Sequence, residues 1–281
     1  AGHGALEWSA MCGIVGYVGT RGSIEVLLGG LKRLEYRGYD SAGVAVIDDA
    51  GHLGTRKHAG KLGILTDDLG AEPLTDGHTG IGHTRWATHG GPTDANAHPH
   101  LGDGGKLALI HNGIIENFAE LKAELLAAGH TFPSETDTEV AALLVGDAFR
   151  ETGDLTGAML RVVNRLEGAF TLLAVHADQP GVVVGARRNS PLVIGLGEGE
   201  NFLGSDVAAF VEYTRHAMEI GQDQLVTIRP DRVEVVDFAG LPVAPPTFEV
   251  DWDASAAEKG GWSSFMAKEI SEEPEAVAKT I

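Results

Sequence analysis

The sequence predicts an α+β fold. Strand-like apolar segments gather towards the two ends of the chain, and amphipathic helical segments gather in its middle. This grouping differs from the strict alternation of strand and helix that indicates a parallel sheet. The 281 residues suffice for one large domain or two small ones with a sizeable core.

The first part of the chain contains predicted strands and two predicted helices. β-branched residues and glycines over residues 13–18 indicate a buried strand. Apolar residues at helical spacing over residues 24–34 predict an amphipathic helix. A short helix is predicted at residues 62–69. Further strands are predicted at residues 44–47, 81–84 and 107–111.

Two helices in the middle of the chain have recognisable starts. Asn117 with Glu120, and Thr136 with Glu139, have the spacing of a capping box before apolar periodic runs. A third helix is predicted at about residues 155–166. The remaining strands are predicted at residues 170–175, 182–186, 192–194, 225–228 and 233–238.

Composition excludes several classes of partner. The net charge of −19 and the pI near 4.9 argue against nucleic acid or an anionic membrane. No apolar run approaches the roughly 20 residues that span a bilayer, and a secretory signal is not recognisable. A single cysteine suits a reducing compartment. We therefore expect a cytoplasmic enzyme or binding domain.

The two ends of the chain differ in composition from its body. Residues 1–10 are expected to be an expression-tag remnant before a start methionine, with a cleaved propeptide as the alternative. Residues 11–250 are expected to form the functional domain. Residues 251–281, acidic and poor in apolar residues at their start, are expected to be a linker.

The single cysteine, Cys12, follows the predicted start methionine Met11. Removal of Met11 would leave a thiol and a free α-amine on one residue. An α-amine titrates near pH ~8, so it can act as the base that activates the thiol. The alternative is that Cys12 is a small buried apolar residue, as free cysteines usually are.

Arg85 lies in a polar segment, residues 83–90, that strand propensity does not explain. A guanidinium flanked by a tryptophan and a threonine is suited to hold a carboxylate through two hydrogen bonds. The alternative is a structural ion pair with one of the protein's many carboxylates.

Two further polar segments carry candidate site residues. The Asn112 amide beside the Gly113 N–H can donate two hydrogen bonds to a developing oxyanion, although Asn-Gly is also a common turn dipeptide. Asp137 can bind a substrate ammonium group, although a carboxylate in a first helical turn is favoured anyway.

Five histidines lie between His83 and His111, so a metal site has to be considered. Their spacing matches neither a metalloprotease motif nor a helical pair, and no cysteine cluster accompanies them. We predict hydrogen-bonded loop histidines, and no metal or other cofactor.

Together these groups indicate one kind of substrate. A binding site for a carboxylate, one for an ammonium group, an oxyanion hole and an N-terminal thiol suit attack on the side-chain amide of a free amino acid. L-Glutamine is the obvious candidate.

Six motifs, in order, closely resemble the glutaminase domain of the glucosamine-6-phosphate synthase family, and the match is nearly continuous from Met11 to the tail. They are residues 12–16, 36–43, 83–90, 96–100, 111–117 and 134–139.

This resemblance implies an N-terminal-nucleophile hydrolase fold, an αββα sandwich of two antiparallel sheets between helical layers. The family's glutaminase domain releases ammonia from glutamine for amino-sugar synthesis. Sugar-isomerase domains, which we expect to begin after the residue 251–281 linker, use the ammonia to convert fructose-6-phosphate. The full-length enzyme is expected to be a homo-oligomer.

The resemblance also implies catalytic roles. Cys12 would be the nucleophile, with its own α-amine as base. Asn112 and Gly113 would form the oxyanion hole, and Arg37 would lie near the nucleophile and order the site.

The implied substrate-binding residues come from two of the motifs. Arg85 would hold the α-carboxylate of glutamine and Asp137 its α-amine. Trp86, Thr88 and His89 would belong to the segment that closes over the substrate.

Three alternatives remain at this point. The chain could be the glutaminase of a purine-pathway phosphoribosyl enzyme or of asparagine synthetase, although residues 83–90 argue against both. It could also be an inactive glutamine sensor. The residues before Cys12 block the α-amine, so the extended chain is expected to be largely inactive.

Overall fold

A computed structural model describes residues 12–251, except for the side chain of Arg37. The predicted tag remnant and all but the first residue of the predicted linker lie outside this range, so the domain division stays a prediction. The first elements are β1 Gly13–Val18, α1 Ser23–Arg33, β2 Ser41–Asp48, β3 Leu53–Ala59, α2 Leu62–Ala71, β4 Gly77–Arg85, β5 His100–Gly102 and β6 Leu107–Ile115.

The second half holds three helices followed by strands. These elements are α3 Phe118–Ala127, α4 Asp137–Thr152, α5 Leu155–Val163, β7 Gly168–His176, β8 Val183–Arg188, β9 Val193–Leu196, β10 Asn201–Gly204, β11 His216–Glu219, β12 Gln224–Ile228, β13 Val233–Asp237 and β14 Thr247–Glu249. Every predicted helix and strand is present.

Five strands were not predicted: β3, β5, β10, β11 and β14. Four of them have only three or four residues, too few to show a period. The fifth, β3, is half-buried along its whole length at the edge of its sheet, and it lacks the apolar alternation of an inner strand.

The strands form two sheets, and neighbouring strands pair antiparallel. The eight-stranded sheet has the order β14-β11-β9-β10-β1-β4-β2-β3, and the six-stranded sheet has the order β13-β12-β8-β7-β6-β5. The first strand, β1, lies in the interior of its sheet between β10 and β4. This placement brings Cys12, the residue before β1, to the end of an inner strand.

The two sheets face each other across an apolar core. Ile14 and Ile81 of the eight-stranded sheet share one buried cluster with Ile110 and Leu173 of the six-stranded sheet. The outer face of the eight-stranded sheet packs against α1 and α2, and that of the six-stranded sheet packs against α3, α4 and α5. The predicted α+β, αββα sandwich is confirmed.

The helix starts agree only partly with the predicted capping boxes. Thr136 caps α4, because its side chain accepts a hydrogen bond from the Glu139 N–H. The prediction for Asn117 is wrong, since its side chain makes no cap hydrogen bond. Its amide instead donates to the Arg165 carbonyl and accepts from the Glu167 N–H, which joins the start of α3 to the segment before β7.

Within residues 12–251, no helix combines the length and the apolar character needed to cross a membrane.

Candidate active site

A cavity of about 250 Å³ opens where β1, β4 and β6 meet the start of α4. Seven of the nine predicted site residues line it. Its lining consists of Cys12, Arg85, Trp86, Thr88, His98, His111, Asn112, Gly113, Ile114, Asp137, Thr138, Ala169, Asn189 and Ser190.

Cys12 lies in this cavity with its thiol against β4. The Trp86 N–H donates to Sγ of Cys12 at 3.1 Å. Burial raises the pKa of the Cys12 thiol above its usual value, while the Trp86 N–H and the positive charge of Arg85 oppose that rise. The thiol is therefore mostly protonated at neutral pH, so its use as a nucleophile requires a nearby base.

The residue after the cysteine has to be a glycine. The Gly13 N–H donates to Oγ1 of Thr84 at 3.1 Å, and an added Cβ would lie only 2.6 Å from that oxygen. The close contact between β1 and β4 places Cys12 beside the end of β4, near Arg85 and the Trp86 that follows it.

Asn112 lies inside a strand, because β6 continues to Ile115. The alternative that Asn112 and Gly113 form a turn is therefore wrong. The Asn112 amide nitrogen donates to the Cys12 carbonyl at 2.8 Å, and its amide oxygen is 2.8 Å from Nε2 of His83. One of the two amide hydrogens remains available for an oxyanion in the cavity.

Gly113 follows Asn112 in the lining of the cavity. Its φ of +115° is one that L side chains rarely adopt, and an added Cβ would lie 2.1 Å from the Ala169 carbonyl oxygen. Only glycine therefore fits here without moving β7, to which this part of β6 is paired.

Arg85 is a buried cation that lies near Asp40 and Asp137, whose charges partly offset the cost of its burial. It is 3% exposed, and within the described residues its guanidinium donates to the main-chain carbonyls of His89, Gly90 and Gly91. It forms no ion pair in the described part of the chain, so the alternative of a structural ion pair is not supported. Because burial lowers its pKa, an anionic ligand in the cavity would relieve that cost.

Asp137 supplies the opposite charge as the first residue of α4. It is 3% exposed, and one carboxylate oxygen accepts the Ile115 N–H at 2.9 Å. The other oxygen lies 3.8 Å from Nδ1 of His111, and that ring nitrogen hydrogen-bonds to Thr138 Oγ1 at 3.0 Å. The carboxylate therefore keeps acceptor capacity for a cationic group.

Of the four remaining predicted site residues, two line the cavity. Trp86, 47% exposed, and Thr88 lie at the cavity lining. His89 does not line it; its carbonyl accepts from Arg85 and its ring meets Phe118 edge-on at 5.0 Å. The backbone of Arg37 belongs to a short 3₁₀ helix. Substrate contact by His89 and ordering by Arg37 stay predictions.

The prediction of loop histidines is wrong for three of the five. His83, His100 and His111 lie in β4, β5 and β6. The His83 and His98 rings are 4.2 Å apart, and those of His98 and His100 are 5.1 Å apart. Among the described residues, no group of three or more potential ligands could hold a metal ion.

Burial gives these histidines a common electrostatic state. It lowers the pKa of His83 to about 3 and holds the pKa values of His98 and His100 well below the usual value. It also lowers the pKa of His111. The four rings are therefore neutral near pH 7.

Five lining residues with polar side chains were not predicted as site residues: three lie in noted motifs but carry no local signal of a site, and residues 189–190 lie in no noted motif. The positive φ of Asn189, at +54°, places residues 189–190 against the cavity, and only chain folding reveals that position. The missed residues with polar side chains are His98, His111, Thr138, Asn189 and Ser190.

An αββα sandwich of two antiparallel sheets, with a cysteine directly before an inner strand, is the architecture of the N-terminal-nucleophile amidotransferases. The chain belongs to the glutamine amidotransferase domain family, which its residues 66–237 match.

Two curated relatives align with nearly the whole chain. It is 74% identical over 271 residues to the glutamine–fructose-6-phosphate aminotransferase (isomerizing) of Leifsonia xyli subsp. xyli. It is 64% identical over 271 residues to the protein of that name from Streptomyces coelicolor. Each alignment covers 96% of this chain and 44% of the relative, so the chain spans less than half of their length.

A solved structure shares the fold. The glutamine phosphoribosylpyrophosphate amidotransferase of B. subtilis, complexed with ADP and GMP, superposes with a TM-score of 0.68 at 26% identity. The match covers 81% of this chain and 49% of that protein.

Proposed function

We propose that this domain hydrolyses L-glutamine to glutamate and ammonia through a thioester on Cys12. The proposal rests on one cavity that holds a cysteine thiol, a buried arginine without an ion pair among the described residues and a buried aspartate. Arg85 would bind the α-carboxylate of glutamine and Asp137 its α-ammonium group. These two contacts would present the side-chain amide to Cys12.

The reaction begins with a proton transfer within Cys12. Once the preceding residues are removed, the free α-amine takes the thiol proton, which the raised pKa of the thiol makes necessary. The thiolate then attacks the side-chain amide carbon of glutamine. The carbonyl electron pair moves to oxygen, where the Asn112 amide and the Gly113 N–H would stabilise the negative charge.

Collapse of this intermediate breaks the carbon–nitrogen bond. The α-ammonium of Cys12 protonates the leaving nitrogen, and ammonia departs to leave a thioester. Water then adds to the thioester with the α-amine again as base, giving a second tetrahedral intermediate. Its carbon–sulfur bond breaks to release glutamate, and the α-ammonium returns a proton to the departing thiolate of Cys12. Trp86, Thr88 and His89 would cover the substrate, and Arg37 would order the surroundings of the nucleophile.

We further propose that the chain is the glutaminase half of a glutamine–fructose-6-phosphate aminotransferase. The support is the identity of 74% to a relative of that name, against 26% to the purine-pathway enzyme. Fructose-6-phosphate would be handled by a part of the protein that this chain does not include. The full enzyme would be a cytoplasmic homo-oligomer.

The test compares two verified forms of the protein. Mass spectrometry first confirms one form that begins at Cys12 and one that retains residues 1–11. Glutamate release is then measured for both, with Cys12→Ala in the trimmed form as the control. We expect activity only in the trimmed parent.

Two results would contradict the proposal in different ways. Equal glutamate release by both forms would eliminate the α-amine as the base. Glutamine binding without turnover in the trimmed parent would favour the alternative of a glutamine sensor.

A further inference from the structure

The amide of Asn112 is held between the two sheets by two hydrogen bonds. Its nitrogen donates to the carbonyl of Cys12, next to β1 of the eight-stranded sheet. Its oxygen lies 2.8 Å from Nε2 of His83 in β4 of the same sheet. Asn112 itself belongs to the six-stranded sheet. The Asn112 amide, the proposed oxyanion donor, is therefore oriented by His83 of the eight-stranded sheet and by Cys12 next to that sheet.

These contacts determine which nitrogen of His83 carries the proton. The amide nitrogen of Asn112 faces Cys12, so the amide oxygen faces His83, and an amide oxygen can only accept. Nε2 of His83 must therefore be the donor. Its Nδ1 is buried, and no described residue meets it with good hydrogen-bond geometry, although the main chain of nearby His111 favours the protonated ring. A buried nitrogen without a well-aligned partner is tolerable as a bare acceptor and costly as an N–H.

We propose that His83, as the Nε2–H tautomer, is a positioning residue that orients Asn112 to stabilise the oxyanion. The inference rests on the proposed function and adds a residue to it. Without the His83 Nε2–H, the buried amide oxygen of Asn112 would lose its hydrogen-bond donor. The amide would then rotate about a single remaining contact, the Cys12 carbonyl.

The His83 ring is uncharged, which suits a hydrogen-bond donor buried near Arg85. Burial keeps the ring uncharged, and the His98 ring lies 4.2 Å away against it. His83 therefore donates a hydrogen bond without placing a second buried cation near Arg85. Its burial, with the side chain enclosed, also keeps the ring from reaching the substrate directly.

The kinetic test compares two variants at this position in the protein that begins at Cys12. His83→Leu removes the donor, whereas His83→Gln can place an amide N–H near the position of Nε2. The control, His176→Gln, alters another fully buried histidine, which bonds to Asp103 at 3.0 Å and lies outside the cavity.

We expect His83→Leu to lower kcat about 10- to 100-fold, less than the 10²–10³-fold typical of losing an oxyanion donor itself. Glutamine affinity, measured by calorimetry in a Cys12→Ala background, should change less than about twofold, because the oxyanion exists only during the reaction. His83→Gln should recover most of kcat, and the control should lose stability with little change in kcat.

A second measurement on the parent does not depend on how any variant folds. Nitrogen-15 NMR of labelled histidine should show protonated Nε2 and bare Nδ1 for His83. An Nδ1–H signal would overturn the proposal, as would a folded His83→Leu with kcat within twofold of the parent or with an equal loss of glutamine affinity.

The activity assay and the NMR measurement distinguish a failure of the His83 proposal from a failure of the proposed function. A trimmed parent without glutaminase activity would overturn the function and, with it, any catalytic effect of His83. An Nε2–H signal in that inactive parent would show that the hydrogen bond to Asn112 exists, so the error would lie in the function.

Discussion

The N–H of Trp86 points at the sulfur of Cys12, 3.1 Å away. Trp86 directly follows Arg85, a buried cation that has no ion pair within residues 12–251 as far as they are described. One short stretch at the end of β4 thus contacts the nucleophile and provides the proposed carboxylate-binding group. A shift of this strand end would therefore alter substrate binding and thiol chemistry together.

The first prediction concerns the acidity of Cys12 in the chain that retains its first residues. Because burial raises the thiol pKa above its usual value, alkylation by iodoacetamide should be slow at pH 7 and still accelerating above about pH 8.5, where a free cysteine is half ionised. Arg85→Gln should slow it further at a given pH, since a charge that lowers the pKa is lost. Mass spectrometry of the modified protein measures the rates. A rate that levels off below pH ~8 would show an already activated thiol.

The second prediction separates binding from chemistry. Arg85→Gln and Asp137→Asn should each weaken glutamine binding by about 2–5 kcal/mol, because each removes one partner of a buried charged group. Calorimetry in a Cys12→Ala background measures this loss. The control Arg56→Gln removes an arginine that pairs with Asp68 outside the cavity, so glutamine affinity should persist. Normal affinity in either test variant would exclude that residue from its role.

The third prediction concerns Asn112. Its amide would act on a charge that exists only in the tetrahedral intermediates and their transition states. Asn112→Ala should therefore lower kcat by about 10²–10³-fold with little change in KM. Asn112→Asp should be at least as harmful, because it places a carboxylate where an anion forms.

Steady-state kinetics on trimmed, folded protein decide this question. A kcat within a few-fold of the parent in Asn112→Ala would mean that the residue only joins the two sheets. Circular dichroism before each assay separates a loss of kcat from a loss of folded protein.

The fourth prediction is a loss of stability in acid. His83, His98, His100 and His111 all have pKa values below 6.5 in the folded protein. In the unfolded chain these histidines become protonated near pH 6.5. In the folded protein they stay neutral down to lower pH because burial lowers their pKa values. Stability should therefore be complete above about pH 6.5 and fall as the pH drops towards 3, by up to about 1.4 kcal/mol per histidine and pH unit.

Urea unfolding at pH 7.5, 6 and 5 measures this slope. His100→Gln should make the slope shallower by the contribution of about one proton, whatever it does to stability itself. A free energy of unfolding that stays level over this range would show that the histidines are protonated in the folded state.

The local features of this protein could be predicted from its amino-acid sequence. Periodicity located the helices and the longer strands, and the Thr136–Glu139 spacing located the start of α4, where Asp137 lies. Residue type and motif order identified Cys12 and Arg85 as candidates. These features can be predicted because helix periodicity and helix capping involve residues that are close together in the sequence.

The contacts between buried polar groups could not be predicted, because they join residues that are far apart in the chain. His83 and Asn112 are 29 residues apart, and Asn112 and Cys12 are 100 apart. Sequence reasoning left Asn112 open to a turn and placed the histidines in loops, because a polar residue within a strand has no local signature. Burial between the two sheets makes such residues neutral or pairs them, and it encloses Arg85 without a direct ion pair to any described residue. Burial depends on the packing of the whole chain.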